Sequence, residues 1–190
     1  IITSSQGFQN QFQFIRSAGN YNTIGVDFLI NKKFGRFTSW LSYSNAKSSF
    51  EFPQLIPPSF PNNLDIRHRL TFGCSYQTNR LGLSTGVNWH SGKPFTKPTP
   101  TDPIIDNKIS YEIPNSSRLN DYIRVDLSAK YQFYTSNKVR MEAIASIWNM
   151  LNKENIVDTY FLIKDSNQLE PVSRYSLTLT PNIILRASFF

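Results

Sequence analysis

Period-two alternation of apolar and polar residues recurs along this 190-residue chain and restricts its fold more than any other feature. In Ile123–Phe133 every odd position is apolar and every even position is polar or charged, and Ile66–Gln77 and Leu81–Ser91 repeat the pattern. Successive side chains of a strand point to opposite faces, so the sequence predicts β-strands and no helix. Weaker alternation brings the number of predicted strands to eight, with Phe8–Ile15, Asn20–Asn31, Phe37–Asn45, Val139–Trp148 and Asn182–Phe190.

The connections between these strands alternate in length. Short ones are predicted at Lys33–Gly35, Thr78–Arg80 and Tyr134–Lys138. Nine of the eleven prolines lie in 53–61 and 94–114, and proline has no amide hydrogen for a central strand. Long polar loops are therefore expected at Ser48–Asp65, Gly92–Leu119 and Asn152–Thr180. The sequence predicts an all-β, antiparallel, up-and-down sheet with short turns on one rim and long loops on the other.

Alternation alone does not separate a transmembrane β-barrel from a soluble β-sandwich, since both have one apolar and one polar face. Strands of roughly nine to thirteen residues are near the membrane-spanning length. Aromatic residues also gather near the strand ends, where interfacial girdles are expected: Phe37, Tyr43, Tyr76, Trp89, Tyr131, Phe133 and Trp148. These features favour a transmembrane barrel, and the soluble sandwich stays as an alternative.

Composition argues against several functions. The formal charge of +7 comes from Lys and Arg residues that are scattered along the sequence, which does not predict a nucleic-acid partner. Cys74 is the single cysteine, so neither an intrachain disulfide nor a cysteine metal cluster is expected. His68 falls on an apolar face, and His90 falls on a polar face beside Arg67 and Arg69, without convergent catalytic partners. We therefore predict no enzyme, no cofactor and no metal site.

The polar face carries charges of both signs, as the interior wall of a water-filled or plugged barrel requires. The residues predicted to form this wall are Asp27, Arg67, Arg69, His90, Arg124, Asp126, Lys130, Arg140 and Glu142. They would contact a plug or line a solute path, or else only pair across strands and keep the wall polar. In the predicted register, facing residue numbers of Ile123–Phe133 and Val139–Trp148 sum to 272, so that Lys130 faces Glu142.

Six segments resemble, in the same order, the distal barrel of TonB-dependent outer-membrane receptors. They are Gly25–Asp27 with Lys33–Gly35, Trp40–Ala46, Asp65–Leu70, Trp89–Thr96, Arg118–Ser128 and Trp148–Asn152. The resemblance runs from about Gly19 to the end. It implies that residues 1–190 form one C-terminal part of such a receptor, holding about the last eight strands of a 22-strand barrel in the cell outer membrane.

The same resemblance implies a function and a set of partners. The function is uptake of a scarce, bulky solute that the sequence does not identify. The implied partners are outer-membrane lipid, an N-terminal plug domain, the remaining barrel strands and the TonB system, and a surface lipoprotein is a further candidate. The alternative is a complete eight-stranded barrel with a structural or adhesive role. A barrel hydrolase would need a Ser–His–acid constellation, which the sequence does not provide.

The last strand departs from the family pattern. The terminal Phe of such receptors usually shares the lipid-facing phase, which here contains Ile183, Leu185, Ala187 and Phe189, whereas Phe190 falls on the opposite phase. Either a bulge shifts the end of the strand or the native terminus differs.

Overall fold

The computed structural model describes residues 18–164 and 168–190 of the chain. The predicted strand Phe8–Ile15 lies outside these residues. The main strands are β1 (Asn20–Phe34), β2 (Phe37–Glu51), β4 (His68–Gln77), β5 (Leu81–His90), β10 (Tyr122–Thr135), β11 (Val139–Trp148) and β14 (Thr180–Phe189). The shorter strands are β3 (Ser59–Pro61), β6 (Pro94–Phe95), β7 (Ile104–Ile105), β8 (Lys108–Ile109), β9 (Ser117–Arg118), β12 (Ile156–Ile163) and β13 (Leu169–Tyr175).

The main sheet is antiparallel and contains eight strands in the order β1-β2-β4-β5-β10-β11-β14, with β3 paired to β2. Each main strand lies beside the next main strand along the chain, as predicted for an up-and-down arrangement. The prediction of an all-β, antiparallel fold is confirmed. No helix long and apolar enough to cross a membrane was found in the described parts of the chain.

The registers bring the apolar phases of all seven main strands to one face. Along one hydrogen-bonded row, Tyr76 faces Leu83, Leu83 faces Ala129, and Ala129 faces Ala145. The opposite face carries mainly polar and small residues, together with the larger apolar residues Leu29, Trp40, Ile144 and Ile184. This face is called the polar wall below. The sheet therefore has one apolar and one polar surface, as the alternation predicts.

Successive strands are staggered in one direction. Phe37 at the first short turn lies on the row that runs through Tyr76, Leu83 and Ala129 to Ile183. By contrast, β14 continues six residues beyond Ile183, to Phe189. A six-residue offset over five strand steps corresponds to strands inclined by about 40° to the perpendicular of the rim, given a rise of about 3.3 Å per residue and a strand spacing of about 4.8 Å.

The predicted register between β10 and β11 is wrong by one step. Ser128 faces Ser146 and Gln132 faces Glu142, a sum of 274, and a bulge follows at Phe133. The turn decides this register, because the Ser136 amide donates to the carbonyl oxygen of Val139 (2.8 Å) and closes the hairpin tightly. An ion pair that contributes only about 0.2–1 kcal/mol cannot override that closure.

Lys130 and Glu142 nevertheless lie on the same face, as predicted. Their Nζ and Oε1 atoms are 3.9 Å apart on a diagonal, and Arg186 Nη1 is also 3.9 Å from Glu142 Oε2. Lys130 itself faces Ile144. The predicted partners are therefore diagonal neighbours and not facing ones.

The third long connection also differs from the prediction. Asn152–Thr180 was expected to form a polar loop, but β12 and β13 pair there as a two-stranded ribbon. The sequence Ile156–Ile163 contains enough apolar and aromatic residues for a strand, and the prediction overlooked it. The other predicted long loops are present at 52–67, where β3 pairs with β2, and at 91–121, which contains the two-stranded ribbons β6-β9 and β7-β8.

The apolar face is open to its surroundings in the described part of the chain. Ile183, Leu185 and Phe189 are 82%, 76% and 78% exposed, and only Phe52 and Phe60 are buried among the large hydrophobic residues described. The remaining sheets are two-stranded ribbons. The described residues thus provide no second layer of the kind a β-sandwich requires.

Candidate functional site: the loop rim and the polar wall

The three long connections leave the sheet at one rim, where the most buried side chains of the described residues lie. The largest fully buried side chains are those of Asn149, Asn155 and Asp65, all of them polar. Buried polar groups need hydrogen-bond partners to offset their lost hydration. Their contacts therefore identify which segments are fastened together.

Asp65 joins the first long loop to the second. Its Oδ2 atom is 2.8 Å from Arg67 Nε and 2.5 Å from Arg118 Nη2, and its Oδ1 atom accepts the Ser48 amide at 2.7 Å. Burial raises the pKa of Asp65, but the Ser48 amide and the two guanidinium groups outweigh it, so that the pKa lies below its usual 3.8. The carboxylate is therefore charged at neutral pH and holds both loops.

Asn115 makes a second connection between the same two loops. Its Nδ2 atom donates to the carbonyl oxygen of Pro61 (2.8 Å) and to Asn63 Oδ1 (2.7 Å). Its amide donates to Thr96 Oγ1 at 2.9 Å. Asn115 has a φ of 58°, a conformation that asparagine tolerates better than most residues. The Asn115-Ser116-Ser117 segment is thus a structural anchor of the loop rim.

The third connection is fastened to β10 by two asparagines. The Asn149 amide donates to Asp126 Oδ1 (2.9 Å), and Asn149 Nδ2 donates to the carbonyl oxygens of Lys153 and Leu177, both at 3.0 Å. Asn155 Oδ1 accepts the Ile123 amide at 3.0 Å, while Asn155 Nδ2 donates to the Ile123 carbonyl oxygen at 2.8 Å. The side chain of Asn155 therefore pairs with β10 as another strand would.

Gly92 marks the closest backbone approach at this rim. A Cβ atom placed there would lie 1.7 Å from the carbonyl oxygen of Leu119. The Gly92 amide donates to Asp121 Oδ1 at 3.1 Å, and the Arg118 side chain reaches the Gly92 carbonyl oxygen at 3.2 Å. Only glycine fits where the two ends of the second long loop cross.

An aromatic cluster lies beside the network, on the first long loop. The ring centroids of Phe50, Phe52 and Phe60 are 5.7–6.1 Å apart, and Tyr21 of β1 is 5.9 Å from Phe50. Such distances are typical of favourable aromatic pairs. Since Phe52 and Phe60 are buried, the cluster acts as a small core for the loop.

The register brings eight of the nine predicted wall residues to one face of the sheet, the polar wall. They are Asp27, Arg69, His90, Arg124, Asp126, Lys130, Arg140 and Glu142. Arg67 precedes β4 and belongs to the loop rim through Asp65. Arg67 is separate from the wall because β4 begins only at His68. The alternation of Ile66–Gln77 did not indicate this boundary.

The charges of the polar wall are partly paired. Arg124 Nη2 lies 2.9 Å from Asp126 Oδ2. Asp27 accepts a hydrogen bond from Ser44. Arg69 faces Ser44 on one side and His90 on the other, is exposed, and has no ion pair among the described residues.

One row of short, uncharged side chains crosses the polar wall. The row runs Thr38, Ser75, Ser84, Ser128 and Ser146 across five strands. Glycines lie on neighbouring rows, with Gly73 facing Gly86. The Trp40 indole covers Gly73, whereas nothing lies within 4 Å of a Cβ atom placed at Gly86, so another surface could approach the backbone closely at Gly86.

Both histidines have structural partners. The His90 ring stacks on Tyr122 at 4.9 Å, and its Nδ1 atom is 2.8 Å from the Ser91 carbonyl oxygen. His68 Nδ1 is 2.9 Å from the Tyr43 hydroxyl, and its ring is 6.5 Å from that of Trp89. Within residues 18–164 and 168–190, no three His, Cys, Asp or Glu side chains could together hold a metal ion.

Trp148 differs from the other predicted girdle aromatics. By the alternation along β11 it shares the phase of Glu142 and Ser146, on the polar wall. The phases of Tyr43 and Trp89 at the loop rim, and of Phe37 and Tyr76 at the turn rim, lie on the apolar face as expected.

Comparison with protein-family models, with curated proteins and with solved structures found no match.

Sequence reasoning did not single out the rim network as a site. Six of its residues nevertheless lie within the segments that resemble receptor barrels, namely Asp65, Arg67, Gly92, Arg118, Asp126 and Asn149, whereas Asn115 and Asn155 lie outside them. Alternation placed Arg67 and Asp126 on the polar wall but could not find the others, because these lie where the strands end and the period-two pattern stops. The sequence signal that could have indicated these residues is a run of short polar residues directly after a strand.

Proposed function

We propose that the chain forms part of the barrel wall and the outer loops of a TonB-dependent outer-membrane receptor that takes up a scarce, bulky solute. The observation that carries this proposal is the inverted burial of the described residues. Large apolar side chains are exposed over a whole face, while the most buried side chains are polar. A soluble protein would bury that face, whereas a lipid environment covers it.

The strand geometry supports a membrane setting. An inclination of about 40° falls within the 35–45° typical of membrane barrels. Along β4, His68 near the loop rim and Tyr76 near the turn rim are separated by about 26 Å of strand at 3.3 Å per residue. With that inclination the aromatic ends lie about 20 Å apart along the barrel axis, close to the ~25 Å apolar band of such barrels.

The loop rim supports a receptor with fixed outer loops. Asp65, Asn115, Asn149 and Asn155 tie the three long connections to each other and to β10. Loops held in this way present a constant surface to a solute, since few backbone groups remain free to rearrange. The polar wall below would line the solute path or contact a plug domain.

The two edges of the sheet need further strands in a membrane. Within the described residues β1 pairs only with β2, and β14 pairs only with β11. Unpaired strand edges are not tolerated in lipid. Other strands of the full receptor would pair with these two edges.

Surface labelling of intact cells tests the orientation. The full-length protein would carry Cys74→Ser together with either Thr101→Cys, in the second long loop, or Asn79→Cys, in a short turn. A membrane-impermeant maleimide should label the Thr101→Cys protein on intact cells. The Asn79→Cys protein should react only after the membrane is broken, and the reverse result would exclude the proposal.

Uptake measurements test the activity. A strain that lacks the full-length protein should fail to take up one member of a panel of ferric siderophores, cobalamin, glycans and peptides. The same uptake should be lost in a strain that lacks TonB. Uptake that needs this protein but not TonB would contradict the TonB-dependent mechanism.

A further inference from the structure

The apolar face carries one cation near the loop rim. The apolar phases of the seven main strands, all within the described residues, contain three charged side chains: Lys32, Lys47 and Glu51. Lys32 lies near the turn rim, whereas Lys47 lies four residues beyond Tyr43, towards the loop rim. Lys47 is exposed, and its ammonium group has no ion pair with another described residue. Its charge is therefore free to bind a group outside the chain.

A pocket of about 290 Å³ lies beside Lys47, between β1, β2 and the start of β4. Its origin is a gap along one edge of β2. There β4 pairs with β2 only as far as His68, which faces Asn45, and β3 joins the same edge at Ser49. Between these residues no described strand pairs with that edge. Small-molecule sites usually measure about 300–1,000 Å³, so the pocket suits a headgroup better than a bulky solute.

The pocket has an apolar side and a polar side. Ile24 and Val26 of β1 form the apolar side, and both are exposed. Asn45, Lys47 and His68 form the polar side. In the register Ile24 faces Lys47 and Val26 faces Asn45, while His68 lies beyond Asn45 on the next strand. All five residues thus share the phase of the apolar face. A ligand with an apolar body and a polar end matches this arrangement.

His68 adds a hydrogen-bond donor to the polar side. Its Nδ1 atom lies 3.0 Å from Asn45 Nδ2 and 2.9 Å from the Tyr43 hydroxyl. An amide nitrogen only donates, so Nδ1 accepts, and the neutral ring carries its proton on Nε2. This N–H group has no acceptor among the described residues. Together with the Lys47 ammonium group it forms a set of donors, which binds an anion.

The charge around the pocket is positive. Arg67 also lines the pocket, and with Arg118 it holds Asp65. Two guanidinium groups and one carboxylate leave one positive charge, to which Lys47 adds a second. The next acid along β2 is Glu51, four residues or about 13 Å of strand beyond Lys47. The electrostatics therefore favour an anionic ligand.

The position of the pocket indicates which anion is present. The His68 ring lies 6.2 Å from that of Tyr43 and 6.5 Å from that of Trp89, and aromatic rings mark the boundary between hydrocarbon and headgroups. Lys47 lies about 13 Å of strand beyond Tyr43, or about 10 Å along the axis of strands inclined by about 40°. Its flexible stem can place the ammonium group in the headgroup layer, where anionic lipids attract Lys and Arg.

We propose that Lys47, His68 and Asn45 bind the phosphate group of an anionic lipid in the leaflet on the side of the long loops. The first carbons of its acyl chains lie against Ile24 and Val26. This inference rests on the proposed function, because it requires the apolar face to lie against lipid. The bound lipid covers the edge of β2 with which no described strand pairs.

Native mass spectrometry of the full-length protein in detergent tests the proposal. The protein is titrated with dioleoylphosphatidylglycerol and, separately, with dioleoylphosphatidylcholine, and the dissociation constant of the first bound lipid is measured. Phosphatidylglycerol should bind about fivefold more tightly or better, since one Lys or Arg near an anionic surface contributes about that factor. Raising the ammonium acetate concentration should weaken this preference by screening.

The decisive variant is Lys47→Gln, which should bring the preference to near unity, whereas Lys47→Arg should keep it. Lys32→Gln is the matched control, because it removes the other cation of the apolar face at the opposite rim. His68→Phe keeps a ring beside Trp89 but loses the Nε2–H group, and should weaken the binding of phosphatidylglycerol alone. A preference that survives Lys47→Gln, or that Lys32→Gln removes equally, would overturn the proposal.

Further outcomes separate the source of the phosphate and the two proposals. If ammonium phosphate releases the bound phosphatidylglycerol and acetate of equal ionic strength does not, the pocket is a site for free phosphate and the lipid proposal is wrong. If the unmodified protein binds neither lipid, the apolar face does not contact a bilayer and both proposals fail. If it binds both lipids equally, only the lipid phosphate site fails.

Discussion

Arg118 in the second long loop and Asp65 in the first are 53 residues apart in sequence, and their side chains meet at 2.5 Å. The Asp65 side chain is fully buried, while Arg118 and Arg67 stay partly exposed. A single carboxylate thus holds two guanidinium groups and the amide of Ser48. This contact sets the relative position of the two loops.

Replacing Asp65 with Asn should release the first two long loops. The amide keeps the shape but removes the charge that both guanidinium groups need, and breaking a buried ion pair costs about 3 kcal/mol. We expect faster proteolysis within 52–67 and 91–121 of the full-length protein. Asp106→Asn is the matched control, since Asp106 is exposed and its φ of 49° suits asparagine; equal proteolysis of both variants would contradict the role of Asp65.

The stabilising contact between Asp65 and the two arginines should also depend on pH. The folded-state pKa of Asp65 is lowered from 3.8, so its contribution to stability is fully present above that value and is lost as pH falls through the lower folded-state pKa. Loop proteolysis by an acid protease should therefore rise below about pH 4 in the unmodified protein. In the Asp65→Asn protein this step should be absent.

Gly92→Ala should open the base of the second long loop. The added Cβ would lie 1.7 Å from the Leu119 carbonyl oxygen, so the backbone must move, at a cost of about 2 kcal/mol or more. Gly86→Ala is the control, because nothing lies within 4 Å of a Cβ at that position. Thermal unfolding of the full-length protein should show a lower midpoint for the first variant, and similar midpoints would show that the crossing is loose.

The attachment of the third long connection should depend on both the side chain and the backbone conformation of Asn149. Asn149→Gly loses the hydrogen bonds to Lys153 and Leu177 but keeps the φ of 51° without strain. Asn149→Ala loses the same bonds and adds about 1–2 kcal/mol of left-handed strain. Proteolysis within 149–179 should therefore increase in the order unmodified, Gly, Ala. Equal rates for Gly and Ala would mean that the backbone relaxes.

The register of β10 and β11 can be tested by disulfide formation in a Cys74→Ser background. Ser128→Cys with Ser146→Cys should cross-link readily, because these residues face each other. Ser128→Cys with Ile144→Cys, which the sum of 272 would place opposite each other, should cross-link poorly. Facing side chains have Cβ atoms about 4.5–5.5 Å apart, whereas diagonal ones are farther apart. Efficient cross-linking of the second pair alone would restore the register predicted from charge.

Seven of the eight strands predicted from alternation correspond to main strands of the sheet, and the eighth, Phe8–Ile15, lies outside the described residues. The boundaries were less accurate: β2 extends to Glu51, beyond the predicted end at Asn45. Residues 46–51 stay in the sheet because they pair with β1, and Ser49, Phe50 and Glu51 also pair with β3 on the other edge. That contact comes from a loop that sequence periodicity does not describe.

The pairing of the last strand excludes one of the two explanations for the phase of Phe190, namely a bulge. Pairing between β11 and β14 is continuous from Thr180 to Phe189, without a bulge. Phe190 therefore keeps the phase of the polar wall, where its ring lies 5.3 Å from the Arg140 guanidinium. A cation–π contact of this kind accounts for an aromatic residue on that face.

The sequence by itself determined the fold class, the polarity of the two faces and the rim to which each connection belongs. Alternation is a local property, and the pleat of each strand converts it directly into faces. The tertiary structure decided the register and the meeting of Asp65 with Arg118. These depend on turn closure and on contacts between distant segments, whose free energies are small individually and carry no periodic signature in the sequence.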